Sequence, residues 1–143
     1  MSRIEDISRR PAISLIKGVP SLLSTVDQMA VASLICLISI RLEFIGREQA
    51  VSPTERDWLR SNLIPSKSWQ IWIARFGGSN QSEYWAQKYA LRFDPTPADR
   101  ILPEYCNAYV TTYVIGRLCA HAVYFPVEGF SGYEGVSISR IWP

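Results

Sequence analysis

Residues 109–125 read YVTTYVIGRLCAHAVYF and contain His121, the single histidine of the chain, two positions after Cys119. The Val, Thr and Tyr at the start of this run favour a strand. A helix remains the competing reading for residues 117–125, because LCAHAV is compatible with either. Length then limits the strand. Extended throughout, the run would reach roughly 55 Å at about 3.3 Å per residue, whereas a chain of this size folds into a body under about 40 Å across. The segment must bend or break, and Gly116 is the natural place, as a bulge or sharp coil. Carried straight through, alternation puts Val110, Thr112, Val114, Leu118, Ala120 and Ala122 on one face, against helices. Tyr109, Thr111, Tyr113, Ile115, Arg117, Cys119 and His121 then share the other face, which is large and rich in hydrogen-bonding groups.

On either side of this run the chain changes character. Of its aromatic residues, only Phe44 and Trp58 precede residue 69. The first half is aliphatic with helix punctuation, and the second is aromatic and β-branched. That order predicts an α+β domain: N-terminal helices (1–66) packed on one face of a curved antiparallel sheet formed by the C-terminal half (67–143). Ser2 and Glu5 have capping-box spacing for an opening helix that Pro11 should end or interrupt. Pro20 suits the first turn of a second helix reaching about Ile45, with Gly46 as its stop. Its expected apolar stripe is Leu23, Val26, Ala30, Leu34, Leu37 and Phe44. In SPTERDWL, Ser52 caps a third helix, Pro53 opens it, Glu55 answers the cap, and Trp58 and Leu59 face inward. WQIWIARF (69–76), the Gly77-Gly78 turn and YWAQKYALRF (84–93) read as a hairpin. The proline-rich stretch 94–105 reads as a surface connection, and VSISRIW (136–142) as a last strand.

Composition narrows the function classes. The 143 residues carry 15 basic and 13 acidic side chains, a net charge of +2, too even to imply nucleic acid or a membrane surface by charge alone. Three scattered cysteines without a CxxC pair suit reduced thiols in the cytoplasm better than a disulfide framework or a metal site. The apolar run 29–40 is shorter than a membrane span requires, so a buried helix is expected. No phosphate-binding glycine pattern is present, and no cofactor is implied.

Two site hypotheses arise from the central run. Cys119 and His121 share a strand face, so a thiolate–imidazole pair is geometrically conceivable, but neither an orienting third group nor oxyanion donors are visible. The alternative is a binding surface made of Tyr109, Tyr113, Arg117 and His121. Arginines beside aromatic residues in each strand (Arg75, Arg92, Arg117, Arg140) would extend it. In a simple meander, the turn 77–83 and the loop 126–135 emerge at one end, where Phe130 and Tyr133 would move over a pocket mouth.

WQIWIARFGG together with TTYVIGRLCAHAV, preceded by a helix of the SPTERDWL kind, is similar to uncharacterised bacterial proteins, some carried as mobile integron gene cassettes. The similarity spans residues 52–123 and implies a bacterial accessory protein without supplying catalytic residues. The expected function is therefore a binding module for a small ligand or a partner protein, with homodimerisation competing for the same surface. A small enzyme using Cys119 and His121 is the alternative, followed by a binder of single-stranded nucleic acid.

Overall fold

A computed structural model describes residues 3–46, 49–79, 81–90, 106–125 and 138–143. The described elements are helices α1 (Arg3–Ile16), α2 (Thr25–Glu43) and α3 (Pro53–Asn62), then strands β1 (Trp69–Arg75), β2 (Gln81–Tyr89), β3 (Ala108–Gly116), β4 (Leu118–Tyr124) and β5 (Ser139–Trp142). The strands form one antiparallel sheet in the order β2-β3-β4-β1-β5. The chain is thus α+β, with its helices N-terminal and its sheet built from the C-terminal half.

Helix ends follow local hydrogen-bond chemistry. Ser24, not Pro20, caps α2: its Oγ accepts from Asp27 N at 3.1 Å, and Asp27 Oδ2 accepts in return from Ser24 N at 3.3 Å. Two orphan donors are satisfied reciprocally, a stronger signal than a proline at the first turn. Pro11 does not end α1 but lies inside it. Ile4, Ser8, Pro11 and Ala12 are its buried residues, and α1 packs on α2. That packing offsets the lost backbone bond of an interior proline. α1 closes at Gly18 (φ +70°), with Val19 N donating to Ser14 O and Gly18 N to Leu15 O, both at 2.9 Å. This is a Schellman ending. α3 starts at the expected Ser52, its Oγ accepting from Glu55 N at 3.3 Å, but the Glu55 side chain makes no return bond to the cap among the described residues. Of its two apolar residues expected inside, Leu59 is buried, whereas Trp58 is exposed.

α2 is long and apolar enough to cross a membrane by length and composition, and in this structure it packs on β1, β4 and β5. Its buried residues are Ala30, Val31, Ala32, Ser33, Ile35, Cys36, Ser39, Ile40 and Glu43. The expected stripe holds in part: Ala30 is buried and Leu34 and Leu37 pack on the core, but Val26 and Phe44 face solvent, and Leu23 precedes the helix. A helix apolar on all sides carries little phase in its sequence. Small polar groups also set the contact. Ser39 Oγ and Thr111 Oγ1 lie 2.7 Å apart, both side chains fully buried.

Two strand assignments change. The central run is a complete hairpin rather than one bent strand: Ile115 pairs with Leu118, leaving Gly116 and Arg117 as a two-residue loop. Gly116 sits at φ +60°, which suits the first loop position of a type II′ hairpin. The loop docks on the end of α1, Arg117 N donating to Ile16 O at 2.8 Å. The β1–β2 hairpin is also overturned. β1 pairs with β4 and β5, while β2 pairs with β3 at the sheet's edge. The chain from Gly77 passes the β3–β4 turn, where Phe76 N donates to Arg117 O at 2.8 Å. β1 takes the interior position because Trp69, Gln70, Ile71 and Trp72 are all buried, and a strand apolar on both faces requires neighbours on both sides. The meander premise falls with it. The connection 94–105 and the loop 126–135 lie outside the described residues.

A Cβ on Gly116 would meet Ile16 O at 2.5 Å, in a backbone region that L side chains rarely adopt. Gly116→Ala is expected to lower unfolding free energy by roughly 1–3 kcal/mol, measured by urea denaturation. Unchanged stability would mean that the turn does not seat on α1.

Candidate functional site

The tight hairpin inverts the expected faces. Opposite residues of an antiparallel pair share a face, and a two-residue loop matches odd positions of β3 with even positions of β4. Tyr109, Thr111 and Tyr113 thus stand with Tyr124, Ala122 and Ala120 on the side covered by α2. Val110, Thr112 and Val114 stand with Val123, His121 and Cys119 on the outer side. The proposed grouping of Tyr109, Tyr113, Arg117 and His121 is not brought together: the tyrosines are in the core, Arg117 is in the turn, and His121 is behind them. Phe130 and Tyr133 lie outside the described residues.

Burial decides the chemistry of the two core tyrosines. Tyr109 and Tyr113 are 0% and 3% exposed. Burial, followed by the nearby Glu43 carboxylate, pushes the Tyr109 phenol up; burial, followed by Cys36, pushes Tyr113 up. Both hydroxyls are buried without a hydrogen-bond partner among the described residues.

Several groups meet on the outer face. Thr112 Oγ1 lies 2.8 Å from His121 Nδ1. The Trp72 ring, cross-strand from His121, sits 5.6 Å from the imidazole centroid at 48°. Arg140 reaches over Trp72 at 5.8 Å, a pairing that the arginine–aromatic pattern anticipates in kind although not in partner. Arg117 turns instead to the backbone oxygens of Phe76 and Gly78, and Arg75 is exposed at the end of β1. Arg92 lies outside the described residues. At the far side, Trp85 stands opposite Thr112 and is 51% exposed.

Cys119 occupies the same face, opposite Val114 and Ala74. Burial raises its thiol pKa and lowers that of His121. A thiolate–imidazolium couple needs both shifts in the opposite sense. Cys36 is deeper, its thiol held protonated by burial first and by Glu55 second. Among the described residues no three His, Cys, Asp or Glu side chains converge as metal ligands.

What sequence reasoning missed is the edge position and exposure of β2, a strand it placed at 84–93 as the partner of β1. All six residues from Ser82 to Gln87 are exposed, and Tyr84 (52%) and Trp85 (51%) project to opposite faces. Its register with β3 runs unbroken from Gln81 to Tyr89. The signal available in the sequence is its polarity, SEYWAQK, beside the more apolar WQIWIAR of β1. Comparison with protein-family models, curated proteins and solved structures returns no match.

Two measurements check these environments. Tyr113→Phe removes an unpartnered buried hydroxyl, so stability should hold or rise; a loss above about 1 kcal/mol would reveal a bond to that oxygen. For His121 the folded pKa lies below the unfolded value of about 6.5. The unfolded chain therefore takes up the proton first as pH falls. This contribution to stability is intact above about 6.5, declines below it, and levels off beneath the folded pKa. Denaturation between pH 7.5 and 5.5 should show a decline that His121→Gln reduces; an identical slope in the variant would refute it.

Proposed function

We propose that this chain is a bacterial cytoplasmic accessory protein that works as a binding module, and that it binds through the free edge of β2. The observation that carries this reading is a nine-residue strand at the edge of the described sheet, with Ser82–Gln87 exposed on both faces. An edge strand presents unpaired N–H and C=O groups in a row, a template for another strand. Protective devices are sparse. β2 contains no proline and no bulge, and its charged residues are Glu83 near one end and Lys88 near the other.

The partner we assign is a second copy of the chain. With one acid and one base, β2 is close to neutral and does not repel itself. Trp85 lies midway along Gln81–Tyr89, so an antiparallel pair of β2 strands centred there would bring the two indoles together across the dyad. The two sheets would then run on as one, a self-complementary arrangement of the kind that a two-fold interface requires. Tyr84 and Trp85 would supply large rigid contact area on either side. The environments of Cys119 and His121 favour this reading over nucleophilic catalysis. A nucleic-acid role receives little support, since Arg140 is the only basic side chain that the described structure puts on the outer face.

Native mass spectrometry and light scattering test the proposal. The wild-type chain should be dimeric at micromolar concentration, and the double variant Tyr84→Lys/Trp85→Lys monomeric with an unchanged circular dichroism spectrum. A wild-type monomer, or a variant that stays dimeric, would remove β2 as the interface.

A further inference from the structure

The three helices enclose a cleft away from the sheet, about 510 Å³ in volume and within the range of small-molecule sites. Its floor is aliphatic, built from Ile4 of α1, Leu37 and Ile40 of α2, and Leu59 and Leu63 at the end of α3. Its rim carries Arg3, Arg56 and Arg60, and among the described residues no acidic side chain lines it.

The three arginines differ in what they already hold. Arg56 is committed: its Nη2 lies 3.1 Å from the buried Glu43 carboxylate and donates to Val51 O at 2.7 Å, and its guanidinium sits 5.0 Å over the Phe44 ring. Arg60 meets Asp57 at 3.6 Å with both side chains largely in water, a contact of little worth. Arg3 makes no ion pair among the described residues. Among the described residues, Arg3 and Arg60 are therefore left to meet a ligand beside an oily floor. Phe44, 55% exposed at the cleft, offers apolar surface that a ligand would cover.

We infer that this cleft binds an aliphatic monocarboxylate of medium chain length. The hydrocarbon lies along Leu37, Leu63 and Phe44, and the carboxylate is held at the mouth by Arg3 and Arg60. Excess positive charge among the described residues selects an anion over an amine, and Arg3 with Arg60 suits one carboxylate. The aliphatic floor selects a chain over a compact polar acid such as acetate. The site is separate from β2 and does not rest on the pairing proposed above.

Isothermal titration with decanoate, below its micelle concentration, is the test, with decanol, decylamine and acetate in parallel. Decanoate should bind one per chain, and the three comparison compounds at least about tenfold more weakly, the size expected for a charge-assisted contact plus a buried chain. Arg3→Ala/Arg60→Ala, on exposed positions that leave the core intact, should weaken decanoate about tenfold and leave decanol unchanged. Leu37→Trp should fill the floor and abolish binding. The Tyr84→Lys/Trp85→Lys variant should bind decanoate as the parent does, which separates this site from the dimer interface. Absence of decanoate binding, equal binding of decanol or decylamine, or full affinity in the double-arginine variant overturns the inference. Dissociation of a wild-type dimer by decanoate would place a second copy in the cleft and overturn it too.

Discussion

One fully buried carboxylate joins the parts of this fold. Glu43, the last residue of α2, is 0% exposed. Its Oε1 accepts from the backbone of Ala50 and, at 2.7 Å, of Val51, and its Oε2 meets Arg56 of α3. Its backbone oxygen accepts from Lys88 of β2 at 3.0 Å. Removing a carboxylate from water costs several kcal/mol unless charge and hydrogen bonds replace the solvent. Here two amides, a guanidinium and a fixed turn do so together. The result ties the end of α2, the turn before α3, α3 itself and the edge strand to one point. The helical cleft exists because α3 is held there, with Arg56 facing Glu43 on one side and Phe44 on the other.

Local chemistry was the most legible part of the sequence. Ser52-Pro53 opened α3 as expected because cap and proline act within one turn. Ser24-x-x-Asp27 was equally readable, but the weight given to Pro20 moved the start of α2 too early. The phase of α2 was only partly readable, because apolar residues occupy every side and the buried face includes the contact of Ser39 with Thr111, 72 positions apart. Sequence reasoning identified the α+β class from the shift in aromatic content. It could not identify strand neighbours, since Gly77-Gly78 looks like a hairpin turn whether or not the next strand comes back.

The candidate site failed at a single residue. Had one strand run straight through Gly116, parity would have continued and Tyr113 would have shared a face with His121. A two-residue loop reverses the chain and turns every later side chain to the other face. The same positions then acquire different chemistry. Tyr109 and Tyr113 become core residues with raised phenol pKa values, while His121 and Cys119 keep the outer face with depressed basicity and acidity respectively. A groove of hydrogen-bonding groups was inferred where the molecule has a packed tyrosine layer.

Exposure of β2 follows from the size of the covering layer. A helix is about 10–12 Å wide, and strands lie about 4.8 Å apart, so one helix shelters two to three strands of five. α1 stacks on α2, and α2 lies over β1, β4 and β5. β3 stays covered by bridging the remaining gap with its own bulk: Tyr109 and Tyr113 reach the core cluster, and Thr111 bonds to Ser39. β2 lies one strand further out, where only its far end comes near α2, through Lys88 on Glu43 O, and Ser82–Gln87 stay exposed. Tyr84 and Trp85 therefore stand on opposite faces of a strand that the described helices leave largely uncovered.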